Sequence, residues 1–172
     1  MTTTEFNLYL NMDCTSIKRR GIICKACGIE RDGKGYLFMG RSGEGKSTIA
    51  NLLKGEADIL EDDRIIVRKI EESFWMYGAP WDRNLDILSP RGVRIEKILF
   101  LRHGRENSII HKEGREALLS FLIRCLPPPW MEEMECMIEF CSEIVRSIPC
   151  YELYFLPDES AVEFLKSSAV II

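Results

Sequence analysis

The stretch Tyr36-Leu37-Phe38-Met39-Gly40-Arg41-Ser42-Gly43-Glu44-Gly45-Lys46-Ser47-Thr48-Ile49-Ala50-Asn51-Leu52-Leu53 decides how this chain is read. Residues 40–47 match the pattern G-x-x-x-x-G-K-S/T in full, after a short apolar run and before a segment of helical character. Gly40, Gly43 and Gly45 allow a tight loop whose backbone N–H groups turn inward around a polyphosphate with no Cβ in the way. Lys46 then reaches the β and γ phosphates, and Ser47 offers a hydroxyl to a magnesium ion. Thr48 begins a helix whose N-terminal amides and dipole favour an anion. Strand, loop and helix follow in the order the motif needs. Binding of a nucleoside triphosphate is therefore expected from Gly40, Arg41, Ser42, Gly43, Glu44, Gly45, Lys46, Ser47 and Thr48.

The rest of the chain sets the scale. Its 172 residues suit one domain over 1–172, and 46% hydrophobic content supplies a core without suggesting a membrane protein. The longest apolar runs, Ile98–Leu101 and Ala117–Ile123, fall far short of a bilayer span. Met1-Thr2-Thr3-Thr4-Glu5 lacks the basic start and apolar centre of a secretion signal, so a cytoplasmic location with no membrane partner is expected. The net charge of −4 gives no general attraction to nucleic acid, and Lys18-Arg19-Arg20 reads as a solvated turn. Seven cysteines, an odd count, point to reduced thiols rather than a disulfide framework. Cys24-Lys25-Ala26-Cys27 has a spacing that suits zinc or a redox pair. With no second C-x-x-C to complete a closed tetrahedral site, the cysteines read mainly as small core residues.

Apolar patterning predicts strands over 21–29, 36–39, 95–101 and 151–156. Arg31-Asp32-Gly33-Lys34-Gly35 reads as a turn, and Gly55 closes the loop helix. Arg64–Ile70 and Ser73–Tyr77 flank Glu71-Glu72 as a β-hairpin. A helix is predicted from Glu113 to Leu126, ended by Pro127-Pro128-Pro129. A second runs from Met131 to Ser147 with Met134, Met137, Ile138, Cys141, Ile144 and Val145 on one apolar face. That Met- and Cys-rich helix suits a core or the interface of a homo-oligomer. Asp158 caps a last helix reaching about Lys166.

Asp62-Asp63 begins sixteen positions after Lys46, at a strand end where two carboxylates can face the loop. One carboxylate suits magnesium, directly or through water, while the other takes a proton from an acceptor hydroxyl. Asp62 is assigned to the metal together with Ser47, and Asp63 to the base. With Lys46 they form the catalytic set. Arg41 and Arg64 are placed to stabilise charge on a transferred group, with Arg105 a weaker candidate. His103 and His111 lie near no motif in sequence, and Trp81 reads equally as core or as a packing partner for a ligand.

Together, Gly40–Ser47, Leu60-Glu61-Asp62-Asp63-Arg64, Gly78-Ala79-Pro80-Trp81 and Ile148–Phe155 resemble the catalytic core of HPr kinase/phosphorylase and its smaller stand-alone relatives. That family shares a core with the ATP-dependent phosphoenolpyruvate carboxykinases. The resemblance covers roughly residues 20–166, and its specific motifs are the phosphate loop and the Asp-Asp strand. It implies an α/β (α+β) P-loop kinase core with a mixed β-sheet and flanking helices, rather than a doubly wound parallel sheet. It also implies ATP and Mg2+, and transfer of the γ-phosphoryl group to a hydroxyl, often of a serine that is free, in a peptide or in a protein. Two departures stand out. Where relatives carry a histidine, fifteen positions before Gly40, this chain has Lys25, and the E-x-R-G signature of HPr kinases corresponds here to Trp75-Met76-Tyr77-Gly78. They keep open a regulatory module that binds ATP without transfer, and a simple ATPase.

Overall fold

The computed structural model describes residues 21–78, 92–127 and 134–168. Among the described residues there are eight strands: β1 (Gly21–Arg31), β2 (Lys34–Met39), β3 (Asp58–Glu61), β4 (Arg64–Ile70), β5 (Ser73–Gly78), β6 (Val93–His103), β7 (Ser108–Lys112) and β8 (Cys150–Phe155). The described helices are α1 (Lys46–Leu53), α2 (Gly114–Leu122), α3 (Met134–Ser147) and α4 (Glu159–Ser167).

Two long strands organise the sheet. The first half of β1 pairs antiparallel with β4, and its second half pairs with β2 on one side and β3 on the other. β6 begins against β5 and continues between β2 and β8, parallel to both, while β7 closes that edge antiparallel to β8. Strands β1, β4, β5, β6 and β2 thereby close into a ring. The result is a mixed α/β architecture built on a mixed sheet.

Alternation of side chains sorts two cores. Ile22, Cys24, Ala26, Leu37, Phe100 and their neighbours face the ring interior and helices α2 and α3. Cys27, Ile29, Phe38, Leu99, Leu153 and Phe155 face α1 and α4. The Asp32-Gly33 turn carries φ of 53° and 75°, the two positive values a tight two-residue hairpin demands. The Glu71-Glu72 hairpin forms as expected, and the Asp158 carboxylate accepts from the Ser160 amide at 2.9 Å to cap α4. No described helix is long and apolar enough to cross a membrane.

Three expectations need correction. The helix expected over 113–126 stops at Leu122, before the prolines. Residues 124–126 leave it to pair with β1, the Lys25 amide donating to the Arg124 carbonyl at 2.7 Å and the Leu126 amide to the Ile23 carbonyl at 2.9 Å. Strand β7 had no counterpart in the sequence reading. On α3 the buried stripe is Met137, Phe140, Cys141 and Ile144, whereas Ile138 is 42% exposed. Residues 131–133, the Lys18–Arg20 cluster and Ala79-Pro80-Trp81 lie outside the described residues.

Candidate functional site

Strands β2, β6 and β8 run parallel, so their carboxyl ends share one edge of the sheet. Ligand sites in α/β sheets gather at such an edge. The loop after Met39 starts with the Gly40 amide donating to the Lys25 carbonyl at 3.1 Å. Gly43 and Gly45 then adopt φ of 82° and 97°. A Cβ on Gly45 would stand 2.5 Å from the Phe155 ring. Among the described residues the amides of Ser42, Gly43, Gly45, Lys46 and Ser47 donate to no backbone carbonyl, whereas those of Glu44 and Ile49 do. Helix α1 has no side-chain cap and no acidic residue in its first turn. Donors without acceptors at a helix N-terminus, with a positive dipole end behind them, fit a phosphate.

Lys46 closes this cradle. It is 8% exposed, and its Nζ lies 3.4 Å from the Arg41 carbonyl oxygen and 3.8 Å from Asp63 Oδ1. Asp63 follows β3 and is tied to the sheet by its carbonyl, which accepts from the Ala26 amide at 3.0 Å. Its other carboxylate oxygen meets Arg64 Nε at 3.3 Å. The Asp62 amide donates to Glu61 Oε1 at 2.9 Å. The Asp62 carboxylate also acts electrostatically on the Cys27 thiol. Burial first, then Asp62 and Glu61, push that thiol up to about 12 against the pull of Lys46, so it stays protonated. Lys25 pairs across strands with Arg64 and, by alternation, shares the face of Cys27. The fold thus brings Lys46, Asp62, Asp63 and Arg64 to one place, with the exposed Ser47 at the start of α1. The residue types here suit a magnesium nucleotide: Lys46 and amides without backbone acceptors could face phosphate, while Ser47 and Asp62 could offer the hard oxygen donors that Mg2+ takes.

Other expectations fall elsewhere. Cys24 and Cys27 belong to opposite cores and cannot share a ligand; the Cys24 sulfur lies 3.6 Å from that of Cys125 instead. His111 packs against Tyr151 on the edge strand β7, and Arg105 is exposed beyond β6. Arg41 turns onto Glu44, its Nε 3.3 Å from Oε1.

Four residues were not found from sequence. His103 Nε2 lies 2.6 Å from the Gly43 carbonyl oxygen, which makes it the donor, and its ring stacks on Phe155. Arg102 Nη1 donates to Glu44 Oε1 at 3.0 Å and its Nε to Glu152 Oε1 at 2.8 Å. Arg124 Nε donates to Glu44 Oε2 at 3.2 Å. Lys112 Nζ adds an ion pair to Glu152 Oε2 at 3.3 Å. Burial opposes ionisation of Glu44, yet the Arg41 amide and the Arg124 and Arg102 guanidinium groups outweigh it and hold the carboxyl below its ordinary value. Glu152 is held low in the same way, burial being overcome by Arg102 and Lys112. Sequence carried no local sign of these contacts, because each spans forty positions or more.

No protein-family model matches the chain, and no curated protein sequence matches it. Among solved structures, the Hpr(Ser) kinase/phosphatase from Coxiella burnetii is similar at a TM-score of 0.47 and 10% sequence identity, over 83% of this chain and 90% of that one.

Proposed function

We propose that the chain is an ATP-dependent phosphotransferase that moves a γ-phosphoryl group to a hydroxyl, the acceptor being a serine that is free, in a peptide or in a protein. The observation that carries this reading is the approach of Lys46 Nζ to Asp63 Oδ1, 3.8 Å apart, beside a loop in which the amides of Ser42, Gly43, Gly45, Lys46 and Ser47 lack backbone acceptors. Bound MgATP would supply the phosphoryl group and a metal charge that offsets its oxygens. The loop amides and Lys46 would hold and neutralise the phosphates, and Ser47 and Asp62 would hold the metal. Asp63, whose side chain is 63% exposed, is open to an acceptor and takes the hydroxyl proton as the acceptor oxygen bonds to the γ-phosphorus and the bond from that phosphorus to the β,γ-bridging oxygen breaks, the electron pair leaving with ADP. Arg64, tied to Asp63, faces the charge that develops on the transferred group.

The test is incubation with γ-labelled ATP and magnesium, offering free serine, small hydroxyl metabolites and serine peptides as pooled acceptors. Label should move to an acceptor and fall by about 10²–10⁴-fold in Asp63→Asn. ATP binding with neither transfer nor hydrolysis would replace the reading with a regulatory module. Phosphate release without an acceptor would replace it with an ATPase.

A further inference from the structure

Glu44 belongs to the phosphate loop, but its carboxylate is engaged on the opposite side of the sheet from α1. Helix α1 packs on the face of Leu99, Leu101 and Phe155. Arg102 alternates with Leu101 and so shares the face of Phe100, whose ring the Arg124 guanidinium covers at 5.4 Å. Glu44 therefore hooks the loop over the carboxyl edge. One oxygen meets Arg102 Nη1 and Arg41 Nε at 3.0 and 3.3 Å. The other meets Arg124 Nε at 3.2 Å and Nη2 at 3.0 Å, and accepts from the Arg41 amide at 2.7 Å.

Arg124 is built for one arrangement. It is fully buried, and it sits where the chain leaves α2 to pair with β1. Its Nη1 donates to the Ser120 carbonyl at 2.8 Å. Its Nη2 is within ion-pair distance of Glu44 but makes no directed hydrogen bond, so the guanidinium serves Glu44 alone on that side. The Arg41 amide bond to Glu44 closes a turn whose return bond runs from the Glu44 amide to the Arg41 carbonyl at 3.1 Å. Whatever holds the carboxylate thereby holds the first turn of the loop. A carboxylate released from this hold would also stand as a like charge beside bound phosphate.

We propose that Arg124, acting through Glu44, is a positioning residue: it clamps the phosphate loop across the sheet edge in its phosphate-ready shape, with Arg102 as a second support. The proposal rests on the reading of the loop as a phosphate site. It predicts that the loop is rigid before any nucleotide arrives.

The test uses the full-length chain and three readouts: backbone NMR order parameters of Gly43, Gly45 and Lys46 without nucleotide, ATP affinity by equilibrium titration, and Tm. Order parameters near 0.85 are expected in the wild type, dropping below about 0.6 in Glu44→Gln and in Arg124→Met. ATP affinity should weaken about tenfold or more in both. Arg124→Lys should not rescue, because an ammonium cannot reproduce the fork that spans Ser120 and Glu44. The double variant Glu44→Gln/Arg124→Met leaves no buried charge unpaired, so its Tm should recover while the loop stays mobile. A loop that stays rigid in both single variants, or that regains order together with Tm in the double variant, overturns the clamp. Should Arg124→Met fail to fold, Glu44→Gln decides the outcome by the same readouts. A wild type that binds no ATP, with the order parameters falling as expected, would overturn the nucleotide reading and leave the clamp standing. Normal ATP binding with order parameters unmoved by either variant would do the reverse.

Discussion

Two glycines of the loop between β2 and α1 ask for the same backbone and differ in what surrounds them. Gly43 has φ of 82° with no heavy atom within 4 Å of a built Cβ, so Gly43→Ala costs only the left-handed conformation, about 1–2 kcal/mol. Gly45 has φ of 97° and its Cβ would meet the Phe155 ring at 2.5 Å. That ring is 1% exposed and stacked by His103, so it has little room to retreat. Overpacking adds about 1–3 kcal/mol to the strain in Gly45→Ala. Urea unfolding should show Gly45→Ala as the costlier change, and equal losses would mean that Phe155 moves aside. At this scale the tight turn before α1 was legible in the sequence, because glycines mark its positive-φ positions at short spacing, and Asp63 does come to Lys46. Arg102, His103, Arg124 and Glu152 were not. Arg102, His103 and Arg124 meet the loop, and Glu152 meets Arg102, only through the parallel register of β2, β6 and β8 and through residues 124–126 abandoning a helix for β1.

Elements show where the sheet leaves no room. Gly35, the second residue of β2, sits at a register shift against β6, and a Cβ there would lie 2.5 Å from the Arg94 carbonyl oxygen. Gly28 sits at the shift between β1 and β3, where a Cβ would meet Ile65 Cδ1 at 2.6 Å. A side-chain tip can rotate away and a backbone carbonyl in a ladder cannot. Gly28→Ala should cost about 1–2 kcal/mol and Gly35→Ala more, about 3 kcal/mol or above. Chemical denaturation of the two variants checks the order, and a reversed order would show the β2–β6 shift to be the more pliant. Strands β1, β2, β4, β5, β6 and β8 were legible because their apolar runs are buried on one or both faces. Strand β7 was hidden because it is a short edge strand whose Ile110 is 49% exposed, so no clean alternation marks it. The end of α2 was hidden for a different reason. Ile123-Arg124-Cys125-Leu126 reads as a continuing helix, and only the vacant side of β1 next to Ile23 and Lys25 draws it out of one.

Across the whole molecule, the two cores lie on opposite faces of the sheet, and a ladder of alternating charge runs along one of them: Lys112, Glu152, Arg102, Glu44, Arg124. It joins β7, β8, β6, the loop between β2 and α1 and the segment after α2. Both carboxylates in it are held below their ordinary value of 4.5 in the folded chain. The unfolded chain therefore binds more protons than the folded one just under pH 4.5, and the ladder's contribution, complete above that pH, is lost as pH falls through the folded-state values. Each group can tilt stability by at most about 1.4 kcal/mol per pH unit within that window. In Arg102→Met both carboxylates lose a shared partner, their folded values rise toward 4.5, and the acid slope should flatten. At neutral pH the same change should cost about 1–3 kcal/mol, because it leaves two largely buried carboxylates with fewer donors. Glu56 is also held low, by the Lys166 ion pair at its side, but that pair is solvated and screened by salt. Stability against pH, followed at low and at about 0.5 M salt, separates the two. The difference in slope between wild type and Arg102→Met should survive the salt if it arises in the ladder. If salt erases it, the acid sensitivity belongs to solvated surface pairs, and the ladder does not couple the loop before α1 to the sheet beneath it.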